Sequence, residues 1–246
     1  MRNRVVLLGV WMVLLGLAVQ EAGAAEVHGR MVWEGPPPVP ETIPVKPKAG
    51  QGPGSVKGCG HPEKLSPGLR VDPSGGVENV VVWVETAVPG KPAAAETVLL
   101  DQKTCEFFPH VLTLTPGKEV AIRNSDSVIH SVRVFREGRP GYLMNRWQKI
   151  DAADIRWKAE TPGRYVVRCG VHLWMYAWVV VLPTESSVVS SASGKFRLSG
   201  LPSGKQGLHF WHEKVGEWQQ MVEVGTGDLE LGSIRLPAVA AKTAEK

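Results

Sequence analysis

The 246-residue sequence predicts an all-β protein, with short strands joined by tight turns. Three observations carry that expectation. Valine recurs in short runs such as Val80-Val-Val-Trp-Val84, glycine and proline are frequent at 27 and 19 residues, and no long segment carries the apolar period of a helix. The formal charge is only +4, and no basic run is interleaved with stacking aromatics, so nucleic acid is not an expected partner.

Taken in order, Arg2 and Arg4, an uncharged apolar run over residues 5–19 and the small residues Ala22, Gly23, Ala24 and Ala25 have the pattern of a secretory signal peptide, residues 1–24. The run is shorter than the ~18 apolar residues of a membrane span, and nothing later approaches one. The mature chain is therefore expected to be exported to a periplasm, with no membrane insertion. Residues 29–33 read as a strand, residues 35–73 as a Pro/Gly-rich stretch with little core-forming content, and residues 80–84 as a buried strand. Residues 149–158 could hold one or two helical turns. Residues 163–169 read as a turn and a strand, and residues 178–183 as a buried strand closed by Pro183.

Between those last two strands lie Cys169, His172 and Met175, spaced C-x2-H-x2-M, and His130 stands 39 residues upstream at the start of another strand-like run. A thiolate and two imidazoles bind copper tightly, and a weak axial thioether leaves Cu(I) and Cu(II) similarly stable. Each residue alone has an ordinary structural explanation, but the four candidate ligands coincide on two loops of one sheet system. Zinc would favour a further Cys or His in place of Met175.

At these residues the chain resembles the cupredoxins, and the two-residue gap between His172 and Met175 resembles the amicyanins. The resemblance covers roughly residues 98–183. It includes Cys105-Glu-Phe-Phe-Pro-His110-Val and Gly117-Lys-Glu-Val-Ala-Ile-Arg-Asn124. It implies a cupredoxin Greek-key β-barrel or sandwich holding one type 1 copper ion, with His130, Cys169 and His172 in plane and Met175 axial. Asn124, Ser131 and Trp174 would flank the site. The family usually has Asn directly after the first His, tying the two ligand loops together. Here Ser131 offers a shorter hydroxyl.

With Cys169 assigned to metal, Cys59 and Cys105 remain, and in an oxidising compartment a disulfide between them is the default expectation. It would tie the Pro/Gly-rich stretch to the first strand of the cupredoxin part. The alternatives are a second metal site with His61 and His110, or two free thiols. Residues 184–237 repeat a strand-turn rhythm, and their G-x-F-x-L-x-x-L-P-x-G pattern from Gly194 resembles half of a carboxypeptidase regulatory-like, or transthyretin-like, sandwich. The other half is found upstream. The expected organisation is therefore one small β-sandwich made of residues 26–97 and 184–237, with the cupredoxin domain 98–183 inserted, and a disordered tail at 238–246. Three consecutive modules are the alternative. His209, His212 and Glu213 read either as a strand with a polar edge or as a docking edge or weak metal site.

No set of catalytic residues stands out, so the chain is expected not to be an enzyme. The leading expectation is a periplasmic carrier of single electrons. Resemblance to the amicyanins implies redox partners such as a c-type cytochrome or a periplasmic dehydrogenase, in the manner of methylamine-utilisation proteins. A copper-binding or delivery protein, or a metal-free interaction module, are the alternatives. Residues 131–168 carry nine Lys or Arg against four acids, which could steer an acidic partner or simply be solvated strand faces.

Overall fold

The computed structural model describes residues 25–85 and 97–237. The expected signal peptide, residues 86–96 and the expected tail lie outside the described residues. Among the described residues the chain is all-β apart from a single 3-10 turn, Pro53–Val56.

Two sheets pack face to face in the middle of the chain. One has five strands in the order Met144–Gln148, His130–Arg136, Gly163–Cys169, Tyr176–Val181 and Val111–Leu114, the last pair parallel. The other has four strands in the order Ile155–Lys158, Glu119–Asn124, Thr97–Lys103 and Glu106–Phe108. Alternation aims Val132 and Val134 of one sheet and Val120 and Ile122 of the other into a shared core with Leu100, Val167 and Val179. The two sheets stay open. Of the barrel or sandwich expected, the structure is the sandwich, because the edge strands Met144–Gln148 and Ile155–Lys158 lie in different sheets without pairing. The expected helical turns at residues 149–158 are likewise replaced by a turn and the strand Ile155–Lys158, whose Ile155 is buried and whose register matches Ile122.

A second, smaller sandwich uses strands from both ends of the described chain. Ala25–Val32 lies between Lys195–Leu201 and Leu229–Arg235 in one sheet, and Val81–Val84 lies between Ser187–Val189 and Gly204–His212 in the other, which ends in Gly216–Val224. Val27, Met31, Val82, Phe196, Leu208 and Phe210 fill its interior. The strand Val81–Val84 does not alternate because both faces are covered: Val82 and Val84 point into this interior, while Val81 and Trp83 join Val111, Val180, Leu182 and Trp211 in a cluster against the five-stranded sheet.

Residues 42–65 leave the sandwich. A two-stranded ribbon, Thr42–Pro44 with Glu63–Leu65, and the 3-10 turn lie on the middle part of the chain, where Val45 and Val56 pack on its core. The sequence reading assigned this stretch to the small sandwich. Its poverty in apolar residues leaves it no core of its own, and it is held by the Cys59–Cys105 disulfide.

Candidate metal centre

The strand His130–Arg136 begins at His130, the strand Gly163–Cys169 ends at Cys169, and both reach the same end of the five-stranded sheet. Cys169 pairs with Val132, which puts its sulfur beside the ring of His130. The chain then turns back through Gly170–Met175. The turn is closed by hydrogen bonds from Met175 N–H to the His172 carbonyl (3.0 Å) and from Cys169 N–H to the Met175 carbonyl (3.1 Å). His172 is thereby folded over Cys169.

Three donor atoms converge. Cys169 Sγ lies 3.6 Å from His130 Nδ1 and 3.7 Å from His172 Nδ1, and the two Nδ1 atoms are 3.0 Å apart. Metal–nitrogen and metal–sulfur bonds of about 2.0 and 2.3 Å at an angle of ~120° would set nitrogen and sulfur about 3.7 Å apart, so the three groups fit one ion. All three are buried, His130 and His172 fully, and Met175 is buried on the same loop.

The far nitrogens explain why both Nδ1 atoms are free to point inward. His130 Nε2 lies 2.9 Å from Asp126 Oδ2, and His172 Nε2 lies 2.8 Å from the Ser55 carbonyl. With the proton held at each Nε2 by an acceptor, the Nδ1 lone pairs are left as ligands. Burial pushes the Cys169 thiol up, but imidazoles that carry a proton on Nδ1 and the backbone N–H of His172 outweigh it and bring the pKa down to about 5; a metal ion at the Nδ1 lone pairs would take the place of those protons. The N–H groups of Val171 and His172 each approach the sulfur at 3.4 Å. The site is built to hold a thiolate at neutral pH. Burial also works against a charged His130, yet Asp126 and Cys169 raise its pKa overall.

Asn124 organises the loop that carries His130. Its Nδ2 donates to the carbonyls of Val128 (3.0 Å) and Lys149 (3.2 Å), and its Oδ1 accepts from Asp126 N–H (3.0 Å). Ser131 does not link the ligand loops through its side chain, which donates to Asn145 Oδ1 instead. The link is made by main chain, with Gly170 N–H donating to the Ser131 carbonyl at 2.7 Å. Trp174 lies 5.1 Å from the His172 ring, centroid to centroid, and its indole N–H donates to the Cys105 carbonyl. The sequence reading missed Asp126 and Ser55. Asp126 sits four residues before His130, a spacing that could have flagged it. Ser55 acts through its main chain and leaves no side-chain signal.

Two further groupings of donor atoms among the described residues, Cys59–Cys105–His172 and Cys105–Asp126–His130, each draw on a disulfide sulfur, which offers no thiolate. The alternative of a second metal site with His61 and His110 therefore falls. His110 instead donates to Glu213, which also accepts from Tyr176 Oη at 3.0 Å. His209 stacks on Trp83, and His212 is buried, its Nδ1 accepting from Lys214 N–H, so the three residues His209, His212 and Glu213 do not gather at one point.

No family model matches the chain. It is 27% identical over 107 residues to the methylamine utilization protein MauL of Methylophilus methylotrophus, a match that takes in 42% of this chain and 60% of that protein. Among solved structures, it is similar to a copper-containing nitrite reductase from Thermus scotoductus (23% identity, 39% of this chain and 25% of that one, TM-score 0.32). It is also similar to amicyanin from Paracoccus versutus (21% identity, 41% of this chain and 96% of that one, TM-score 0.31). The chain is an all-β protein with weak sequence likeness to MauL and structural likeness to cupredoxins.

Proposed function

We propose that this protein is a periplasmic type 1 copper protein that carries single electrons between redox partners, binds no organic substrate and catalyses no bond change. The observation that carries the reading is the convergence of His130 Nδ1, His172 Nδ1 and Cys169 Sγ in a buried site whose far nitrogens are already bonded. A copper ion bound there would supply a one-electron couple. The chain's own residues do the rest. Asp126 and the Ser55 carbonyl hold the two imidazoles in orientation, the N–H groups of Val171 and His172 hold the thiolate, and Met175 offers a thioether from the same loop. His130 and Cys169 stand at strand ends, and the segment that carries Ser55 is tied down by the nearby Cys59–Cys105 disulfide, an arrangement suited to small reorganisation on a change of charge.

Burial of all four side chains supports a carrier over a delivery protein, which would need an exchangeable site. The Cys59–Cys105 disulfide supports an oxidising compartment such as a periplasm. Among the described residues, no helix is long and apolar enough to cross a membrane. In this reading the partners are redox proteins such as a periplasmic dehydrogenase or a c-type cytochrome. The test is the visible and EPR spectrum of the Cu(II)-loaded protein beside a Cys169→Ala variant. An intense thiolate-to-copper band with narrow copper hyperfine splitting, bleached by reductant and lost in the variant, is expected. A pale, loosely held Cu(II) would overturn the reading in favour of copper handling.

A further inference from the structure

The His172 imidazole has no free edge. Its Nδ1 faces Cys169 and His130, its Nε2 meets the Ser55 carbonyl, and Cys59 Sγ lies 3.7 Å from that same nitrogen. The cover is built in. Pro53–Val56 carries Ser55, and Cys59 is bonded to Cys105. Gly58 lies so close to the His130 loop that a Cβ there would stand 2.7 Å from Ser127 Oγ and 3.0 Å from Val128 Cγ1. A partner approaching from that side meets residues 53–59 before it meets the imidazole.

The ligand loop reaches the surface elsewhere. Leu173 is 67% exposed, whereas Gly170, Val171, His172 and Met175 are buried. Leu173 and Trp174 form one wall of a groove whose other walls carry Lys46, Lys48, Arg168 and Glu41. Among the described residues, none of the ion pairs involves Lys46, Lys48 or Arg168. The groove therefore joins an exposed apolar residue, adjacent in sequence to a metal-ligand candidate, to three uncompensated cations and one acid.

We propose that the redox partner docks in this groove through a protein surface with carboxylates around an apolar centre, and that the electron passes by the Leu173–Trp174 side of the loop rather than through a bare His172 edge. The proposal rests on the copper reading above. Charge complementarity names the partner class: three cations steer an acidic surface, and Leu173 supplies the dry contact at its centre. The Trp174 ring, in contact range of His172, lies between that surface and the site.

The test uses the copper-loaded full chain and stopped-flow oxidation of its reduced form by hexacyanoferrate(III) and by an acidic c-type cytochrome, with a basic c-type cytochrome as the opposite-charge probe. The variant is Lys46→Glu/Lys48→Glu/Arg168→Glu, and the control is Lys195→Glu/Arg197→Glu/Lys205→Glu on the small sandwich. The groove variant is expected to slow both anionic probes by about tenfold or more at low ionic strength, speed the basic cytochrome, and weaken or invert the salt dependence. The control is expected to do neither. Equal rates in the groove variant and the wild type, both keeping the intense copper band, would overturn the docking site alone. Absence of that band in the loaded wild type would overturn the copper reading and the docking site with it.

Discussion

Replacing Glu213 should uncouple the small sandwich from the two sheets that carry the candidate metal centre. Glu213 follows the strand Gly204–His212, and its carboxylate is nearly buried, with 8% of the side chain exposed. It accepts from His110, which precedes the strand Val111–Leu114, and from Tyr176, the residue after Met175. Burial works against the charged form, but His110 and Tyr176 are among the groups that hold the Glu213 pKa below its usual value. Glu213→Ala leaves the part-buried donors of His110 and Tyr176 without their acceptor, at about 1–3 kcal/mol each. A loss of roughly 2–6 kcal/mol is therefore expected, a large share of the ~5–15 kcal/mol typical of a domain. Glu213→Gln keeps the volume and one acceptor and should cost about 1–2 kcal/mol. Urea unfolding of both variants measures the loss, and a double-mutant cycle with His110→Ala isolates the pair. The copper band should also shift in Glu213→Ala, because Tyr176 is held next to Met175. Losses below about 0.5 kcal/mol with no coupling to His110 would refute the reasoning, since surface changes fall in that range.

Three further outcomes are expected. Asp126→Ala removes the acceptor that orients His130 and should weaken copper binding by about 10–100-fold, measured by competition with a chelator. An unchanged affinity would show that the strand alone orients the ring. Cys59→Ser/Cys105→Ser opens a loop of sequence separation 46 and should cost up to roughly 4 kcal/mol on thermal or urea unfolding, while admitting solvent to His172. Stability should also fall in acid through His212, whose pKa burial lowers to about 4, with His110 and Lys214 acting the same way and Glu213 opposing them. The unfolded chain takes up that proton below about pH 6.5, and the folded chain does not until about pH 4. Stability is thus lost as pH falls through that window, on the order of 2–3 kcal/mol, and His212→Gln should flatten the profile in this range.

Much of the site was legible because ligand chemistry is local. Cys169, His172 and Met175 share one short turn between two strands, and the donor types restrict the ion. His130 was legible as the start of a strand. The disulfide followed from the cysteine count, with metal assigned to Cys169. The continuous apolar run at Val81–Val84 marked a buried strand, although only packing shows that its second face meets the five-stranded sheet. His110 and Glu213 could not be paired in advance. They are 103 residues apart and meet because two separate cores dock.

The same division holds for the whole molecule. Composition, strand period and residue type determined that the chain is all-β and which side chains could bind a soft metal, because those properties depend on near neighbours and on the donor atoms themselves. Whether the edge strands close, where residues 42–65 lie and which ring nitrogen each histidine presents were decided by the tertiary structure. Each depends on groups brought together from distant positions, and the covering of His172 by the Ser55 carbonyl uses a backbone atom that every residue carries.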